Sequence, residues 1–552
     1  MLAGVGTLAA ILRFVGLSQP TTLVFDELYY ARGAYSLMEM GYEGKWTGEH
    51  QAFAEGDYSG LGTSPDFVVH PPLGKWLIAA GMKLFGPTPF GWRFSAALIG
   101  TITVVLVALI ARHLFRSVVW GGVAGVFLAI DGEHIVLSRT ALLDIFLTFF
   151  VVVAFGLLLL DRRRNRRRLE EWAALERKRL KLKKADPIPG FGRSGVRWYR
   201  LAAIVSLGLA TGIKWSGLYF AVFFLALAFL WEVADRRKAN AFHRPLVSFL
   251  RLACPLVVAV AVLLPATYVA SYASWFANDN SYARHWAEDH PDEGIGWLPE
   301  DARSFVAYHD KMYDFHIQLT RSNGVEHSYA ARPWGFLFQV RPTAFYWETV
   351  EAGEGDPPST EKYVAETIAL GNPLLWWAGA VAFFYAVARF LRRFDLPTTL
   401  GCIGALGGAA LGIALGIPLI TLAAAGGGLY ALARVAHRLD LLAATVVIGT
   451  LAGWVPWLFY WDRVMFTFYS VAFSPWVMLA LVWALRRIAQ PPRLKGGVSR
   501  RGALVVGAFV SLAVILAGFY LPLWTGQWIP YDYWHVHMPD LNPSNWTWMN
   551  WV

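Results

Sequence analysis

The chain is 552 residues long, 56% hydrophobic and only 16% charged, with a formal net charge of +10 at neutral pH. With a mean hydropathy of +0.42, this balance excludes an ordinary soluble domain and indicates a protein that crosses a membrane many times. Much of the basic excess sits in DRRRNRRRLEEWAALERKRLKLKK (161–184), between two apolar stretches, which reads as a cytoplasmic loop able to touch anionic lipid rather than as a nucleic-acid surface. Cys254 and Cys402 fall in or beside apolar stretches, so neither a disulfide framework nor a thiolate metal site is expected.

A membrane span needs roughly 17 to 25 apolar residues. With basic loops placed inside, the first span covers 2–18 and is expected to be a retained anchor, since no basic stretch and small-residue cleavage site precede it. Residues 19–90 follow as an external loop rich in Tyr, Gly, Pro and acids. Spans are then expected near 92–112, 118–134 and 141–160, ending at the basic loop. A pair of short helices near 199–213 and 217–233 hinges at TGIKWSG, and a further span lies near 252–272. The hydrophilic stretch 273–370 falls outside by parity. The next span, 373–391, ends at the basic RFLRR, and the last three lie near 440–458, 464–485 and 503–523. Between them the glycine-rich 398–436 reads as a hairpin of two spans in close contact, or as a re-entrant pair.

The expectation is thus an all-α polytopic membrane protein with about thirteen spans, its N-terminus cytoplasmic and its aromatic tail, 524–552, an external interfacial cap. It divides into an N-terminal membrane module (1–272), an extracytoplasmic loop (273–370) and a C-terminal membrane module (371–552).

Polar groups collect on the outer side of this threading. They are Asp26 and Glu27 in VFDELYYARGAY, His70 and Lys75 in HPPLGKW, Arg93, Arg139, Lys214, Arg332, Arg341 and Arg463. One or two carboxylates among many cations suit an anionic ligand at a membrane surface, phosphate above all. Transfer of a sugar from a lipid phosphate to a hydroxyl needs this set. A carboxylate accepts the proton of the incoming alcohol, and cations rather than a general acid steady the departing phosphate.

Structural roles stand beside each functional one. Asp26 is placed to cap the helix-like ELYYARGAYSLM, with Glu27 at the positive end of its dipole. Adjacent helical side chains point about 100° apart, so the two carboxylates divide their work rather than share a proton. Lys75 has the reach to snorkel to headgroups, and Arg13 either snorkels or points into the same basin. Asp144 interrupts the apolar ALLDIFLTFF, which implies a partner or a function, an ion pair with Arg139 being the structural choice. Lys214 is interfacial or functional. A transporter would carry charges near the bilayer midplane and show repeated halves; here the charges cluster at one face and no repeat is visible.

Several stretches together resemble one family. LRFVGLSQPTTLVFDELYYARGAYSL, HPPLGKWLIAAG, SRTALLDIFLTFF, GLATGIKWSGLY, HSYAARPWGFLFQVRP, GNPLLWW, GWVPWLFYWDRVMFTFY and LPLWTGQWIPYDYW, in this order, are similar to the bacterial protein O-mannosyltransferases. These are polyprenyl-phosphate-mannose-dependent enzymes of the GT-C superfamily. The resemblance implies a GT-C fold of about 11 to 13 spans with external loop helices. It also implies an inverting transfer of mannose from a polyprenyl phosphate to Ser or Thr of an exported protein, with handover by the secretion machinery a further expectation; a lipid or glycan acceptor is the alternative. By match to the family's acidic motif, Asp26 is the expected catalytic base and Glu27 the residue that helps seat the acceptor. Lys75, Arg139, His70, Arg332 and Arg341 are the expected donor-phosphate ligands, with Asp144, Arg93 and Lys214 in support. No catalytic metal or other cofactor is expected, although a carboxylate pair can hold a divalent cation. Two departures stand out: 273–370 is too short for the β-trefoil of the fungal enzymes, and 398–436 is additional to an eleven-span pattern.

Overall fold

The computed structural model describes residues 1–537 except 185, 193–194, 243, 355–358, 492–493 and 495–496. Among the described residues, seven helices are long and apolar enough to cross a membrane: Pro89–Phe115, Asp144–Arg179, Gly217–Lys238, Pro245–Ala270, Pro373–Leu391, Leu441–Tyr460 and Arg500–Thr525. The pair Val118–Ala129 and Gly132–Arg139, bent by 61°, is an eighth if it counts as one span. Four shorter apolar helices, Leu2–Phe14, Trp198–Thr211, Leu396–Gly412 and Leu419–Val435, accompany them. Every expected apolar segment is therefore helical over much of its length, while length and composition by themselves secure seven or eight crossings, not eleven to thirteen.

The glycine-rich stretch folds as two helices, Leu396–Ala414 and Pro418–Val435, packed on each other, the second also leaning on Gly217–Lys238. Close approach of backbones recurs nearer the site. A Cβ on Gly100 would stand 2.1 Å from Ser138 Oγ, so only glycine lets Gly132–Arg139 lie against Pro89–Phe115.

Two expectations change. The span placed at 464–485 begins as extended chain and a 3-10 turn, Thr467–Ala472, and becomes α-helical only over Ser474–Ala489. The cause is pairing with the large loop: Val464 N–H donates to Leu319 O at 2.9 Å, and Ala331 N–H to Met465 O at 2.8 Å. Backbone groups committed to those bonds cannot serve a helix. The fold is also not purely α. Gly44–Trp46 pairs antiparallel with Leu61–Pro65, and Thr343–Val350, Tyr363–Ala369 and Trp528–Pro530 form a three-stranded antiparallel sheet in that order.

The outer strand of that sheet comes from the C-terminal tail, and Trp534 Nε1–H donates to Glu366 at 2.6 Å. The tail expected as an aromatic cap is thus built onto the large loop over 528–537; its remainder, 538–552, lies outside the described residues.

The segment after the first helix is tied down by buried charge. Glu27 is 0% exposed. Its Oε1 accepts from Arg93 Nε at 2.8 Å and Ala141 N–H at 2.9 Å; its Oε2 accepts from Arg93 Nη2 at 2.8 Å and Val24 N–H at 3.1 Å. Arg93, also fully buried, donates further to the carbonyls of Pro20 at 2.7 Å, Thr22 at 3.0 Å and Leu17 at 3.3 Å. One guanidinium therefore gathers residues 17–27 against Pro89–Phe115. Arg139 does the same for the preceding turn. It donates to the carbonyls of Val15 (2.7 Å), Gly16 (2.8 Å), Arg13 (3.1 Å) and Leu12 (3.3 Å), which caps the C-terminus of Leu2–Phe14.

A buried ion pair broken on one side leaves an uncompensated charge, at a cost of about 3–5 kcal/mol. Glu27→Ala should accordingly lower the thermal unfolding midpoint of the detergent-solubilised protein markedly. A midpoint equal to the parent's would show that this pair does not hold the segment.

Candidate active site

Asp26 precedes the Glu27–Met40 helix, in the position of an N-cap, but its side chain makes no capping hydrogen bond. The capping role weighed for it is therefore not what its carboxylate performs. Instead the Tyr30 hydroxyl, one helical turn on, donates to it, and Lys214 and Asp144 lie within electrostatic reach. Part of Asp26 remains accessible. The surrounding protein nevertheless pushes its carboxyl up to about 6; burial is the main cause, opposed by Lys214 and the Tyr30 bond and assisted by Asp144.

Its neighbours Lys214 and Asp144 line a cavity of about 360 Å³, of whose wall Asp26 itself is not part. The walls come from five distant parts of the chain: His70; Asp144 at the start of Asp144–Arg179; the hinge residues Lys214 and Trp215; the end of Glu300–Gln318; and, facing it, 457–463. Lys214 Nζ pairs with Asp144 Oδ2 at 2.7 Å and stands 5.0 Å from the centre of the Tyr469 ring. The intramembrane carboxylate thus found Lys214, not Arg139, as its partner.

His70 and His316 lie with ring centres 5.4 Å apart on the same wall. His316 Nε2 bonds the carbonyl of Val69 at 3.0 Å and its Nδ1 faces Arg463 Nη2 at 3.2 Å. A carbonyl only accepts and a guanidinium only donates, so the ring is neutral, with its proton on Nε2. Burial and Arg463 hold it at about 4, and burial with Lys214 holds His70 well below the usual histidine range. Both rings are therefore hydrogen-bonding groups, not cations, at neutral pH.

The expected site residues consequently divide. His70, Asp144 and Lys214 meet at the cavity, and Asp26 adjoins them. Glu27 does not line it: both of its oxygens are engaged in the anchor. Arg93 and Arg139 are likewise consumed by that anchor and by the helix cap. Lys75 is buried against Glu43 at 2.5 Å. Arg332 bonds the carbonyl of Trp461 at 2.8 Å and lies over that ring, while Arg341, with a left-handed backbone (φ 56°), bonds the carbonyl of Ser328 at 2.9 Å through Nε. Neither forms part of the cavity wall. Arg13 neither snorkels nor points into the cavity; it is fully buried and bonds His134 Nδ1 at 2.9 Å and two carbonyls of the bent pair.

Tyr30, His316 and Tyr469 are the residues sequence reasoning passed over. A lone histidine in a polar helix and tyrosines among many others carry no local signal. Arg463 carried one, a charge inside the aromatic run WLFYWDRVMFTFY, but it entered the reading only as one of many external cations.

Comparison with known proteins bears on this arrangement. Residues 4–176 match the family described as dolichyl-phosphate-mannose-protein mannosyltransferase. The polyprenol-phosphate-mannose–protein mannosyltransferase of Mycobacterium tuberculosis is 33% identical over 542 residues, covering 96% of this chain and 89% of that protein. Its counterpart in Corynebacterium glutamicum is 30% identical over 96% of this chain and 90% of that protein. The Saccharomyces cerevisiae protein O-mannosyltransferase Pmt1-Pmt2 complex, solved bound to its sugar donor, shares the fold: TM-score 0.61 at 14% identity, over 95% of this chain and 90% of that one. With that fold and near-full-length identity to the mycobacterial enzyme, the chain belongs to the polyprenol-phosphate-mannose–protein mannosyltransferase family.

Proposed function

We propose that the chain transfers mannose from a polyprenyl-phosphate-mannose to the hydroxyl of a Ser or Thr in an exported polypeptide, at the outer face of the plasma membrane, with inversion. The observation that carries this reading is Asp26. It is a carboxylate that takes no part in capping its helix, is bonded by the Tyr30 hydroxyl and lies within reach of the Lys214–Asp144 pair on the cavity wall, pushed up to about 6 by burial, while its neighbour Glu27 is locked into the fold.

In the reaction the acceptor oxygen forms a bond to the anomeric carbon as its proton passes to the Asp26 carboxylate. The bond from that carbon to the phosphate oxygen breaks, and its electron pair leaves with the polyprenyl phosphate. Phosphate is a good leaving group, so no general acid is needed, and cations stabilise the charge it gains. Tyr30 orients the base and Lys214, paired with Asp144, keeps it ionised. Attack opposite the leaving phosphate gives inversion. An unfolded chain emerging from the secretion machinery suits this recessed site, because an extended segment can enter where a folded surface could not.

The placement of the site outside rests on charge. Asp144 and Asp161 lie on one helix seventeen residues apart, about 25 Å at 1.5 Å per residue. At the far end Asp161 and Glu232 join Arg197 and Arg200 in a network with contacts of 2.5–3.1 Å, followed by the basic run. Arginine-rich ends mark the cytoplasmic side. The cavity, at the other end, is then extracytoplasmic, with the N-terminus inside and the C-terminus outside.

Asp26→Asn removes the proton acceptor and retains the shape. Transfer of labelled mannose to a Ser/Thr peptide should fall by about 10²- to 10⁴-fold with the unfolding midpoint unchanged, and full activity would remove Asp26 as base. Only the ionised carboxylate accepts a proton. With Asp26 at about 6, kcat/KM should drop tenfold per unit below about pH 6 and be level above about pH 7. A profile flat from pH 5 to 8 would contradict the assignment. In the producing cell, deletion of the gene should abolish hexose on Ser or Thr of secreted proteins, read by mass spectrometry; a lipid or glycan acceptor would leave that signal intact.

A further inference from the structure

We infer that Arg463 binds the phosphate of the lipid-linked donor; this rests on the function proposed above and names the residue that performs one part of it. The cations near the site differ in what already faces their charge. Lys75 is paired with Glu43, Arg93 with Glu27 and Lys214 with Asp144. Arg463 lines the cavity and has no carboxylate within ion-pairing distance among the described residues. Its Nη2 and Nε point to His316, at 3.2 Å to Nδ1 and 3.4 Å to the carbonyl, and its Nη1 has no hydrogen-bond partner. It is the cavity's uncommitted full charge.

Arg463 is also held in place before any ligand arrives. The backbone on either side of it is bridged to the large loop through Val464 N–H to Leu319 O at 2.9 Å and Arg321 N–H to Asp462 O at 3.0 Å. The neutral His316 fixes one edge of the guanidinium and Trp457 lies 5.7 Å beneath it. A preorganised donor set of this kind stabilises developing negative charge without reorganising during the reaction. The donor phosphate carries one negative charge as a diester and gains a second when the sugar leaves, so a cation with no carboxylate of its own serves the departing group.

The neighbours identify the phosphate as lipid-linked. Phe459 and Trp461, 75% and 63% exposed, flank Arg463 on the cavity rim. A cation bordered by exposed aromatic rings accommodates a phosphate that carries a prenyl chain, whereas inorganic phosphate would leave that apolar surface bare.

The test titrates a polyprenyl monophosphate and the matching polyprenol into the full-length protein in lipid nanodiscs, read by tryptophan fluorescence. The parent should prefer the phosphate, and Asp26→Asn should keep that preference. Arg463→Ala should reduce the phosphate-over-alcohol ratio by about 10- to 100-fold, the range of a charge-assisted hydrogen bond, and Arg463→Lys should restore part of it. Because the ratio is taken within one variant, lost stability does not mimic the result; if Arg463→Ala does not fold, Arg463→Gln gives the same comparison. An unchanged ratio in the Arg463 variants overturns this inference alone. A parent with no preference overturns the donor reading on which it rests. Displacement of the polyprenyl phosphate by millimolar inorganic phosphate would overturn the lipid-linked assignment.

Discussion

Everything at the active site depends on one buried ion pair. Glu27 and Arg93 face each other with no solvent around them, and between them they hold three carbonyls and two backbone N–H groups of the segments that meet there. Removing two charges from water is costly, so such a pair adds little to net stability. It makes any other placement of residues 17–27 far worse, because each charge would lose its only partner. Asp26 inherits its position from that constraint: being next in sequence, it is turned by about 100° from Glu27 and lies within electrostatic reach of Lys214 and Asp144, which line the cavity. Two adjacent carboxylates thus take different work: Glu27 is paired with Arg93 in the scaffold, and Asp26, pushed up to about 6 by burial, is left for proton transfer.

The cations follow the same division. Arg139 and Arg93 carry donors in a rigid fork and are used where several carbonyls must be gathered at once; lysines, with one compact charge, appear in single pairs with Glu43 and Asp144. This sorting determines what is left for a substrate. A count of positive residues on the outer side overstated the charge available there, because Lys75, Arg93 and Lys214 are paired with carboxylates and Arg139, Arg332 and Arg341 are engaged by carbonyls. Lys214 and Asp144 form a neutral pair beside the base, and the histidines are held uncharged by burial and by one another's neighbours.

The cavity itself is assembled late in the chain. Residues 319–331 and 462–465 pair across more than a hundred residues of sequence, and the C-terminal tail adds a strand to the sheet of the same loop. These cross-connections brace the large loop against the C-terminal membrane module. They also explain why the 464–485 segment abandons helical geometry at its start: the bridged backbone there presents Arg463 to the cavity, just after the 3-10 turn Val455–Tyr460 that carries Phe459.

The sequence by itself determined the membrane character, the helical segments, the family and the weight placed on Asp26. Each of these is written in local pattern: apolar runs, basic ends, and motifs such as VFDELYYARGAY in fixed order. It could not determine which charges remain free. Whether Glu27, Arg139 or Lys75 touches substrate depends on partners 32 to 126 residues away, and such distances leave no trace in local composition. Tertiary packing decided that these residues are engaged within the scaffold and that Lys214, His316 and Arg463 line the cavity, because a buried charge must be satisfied by whatever the fold brings against it.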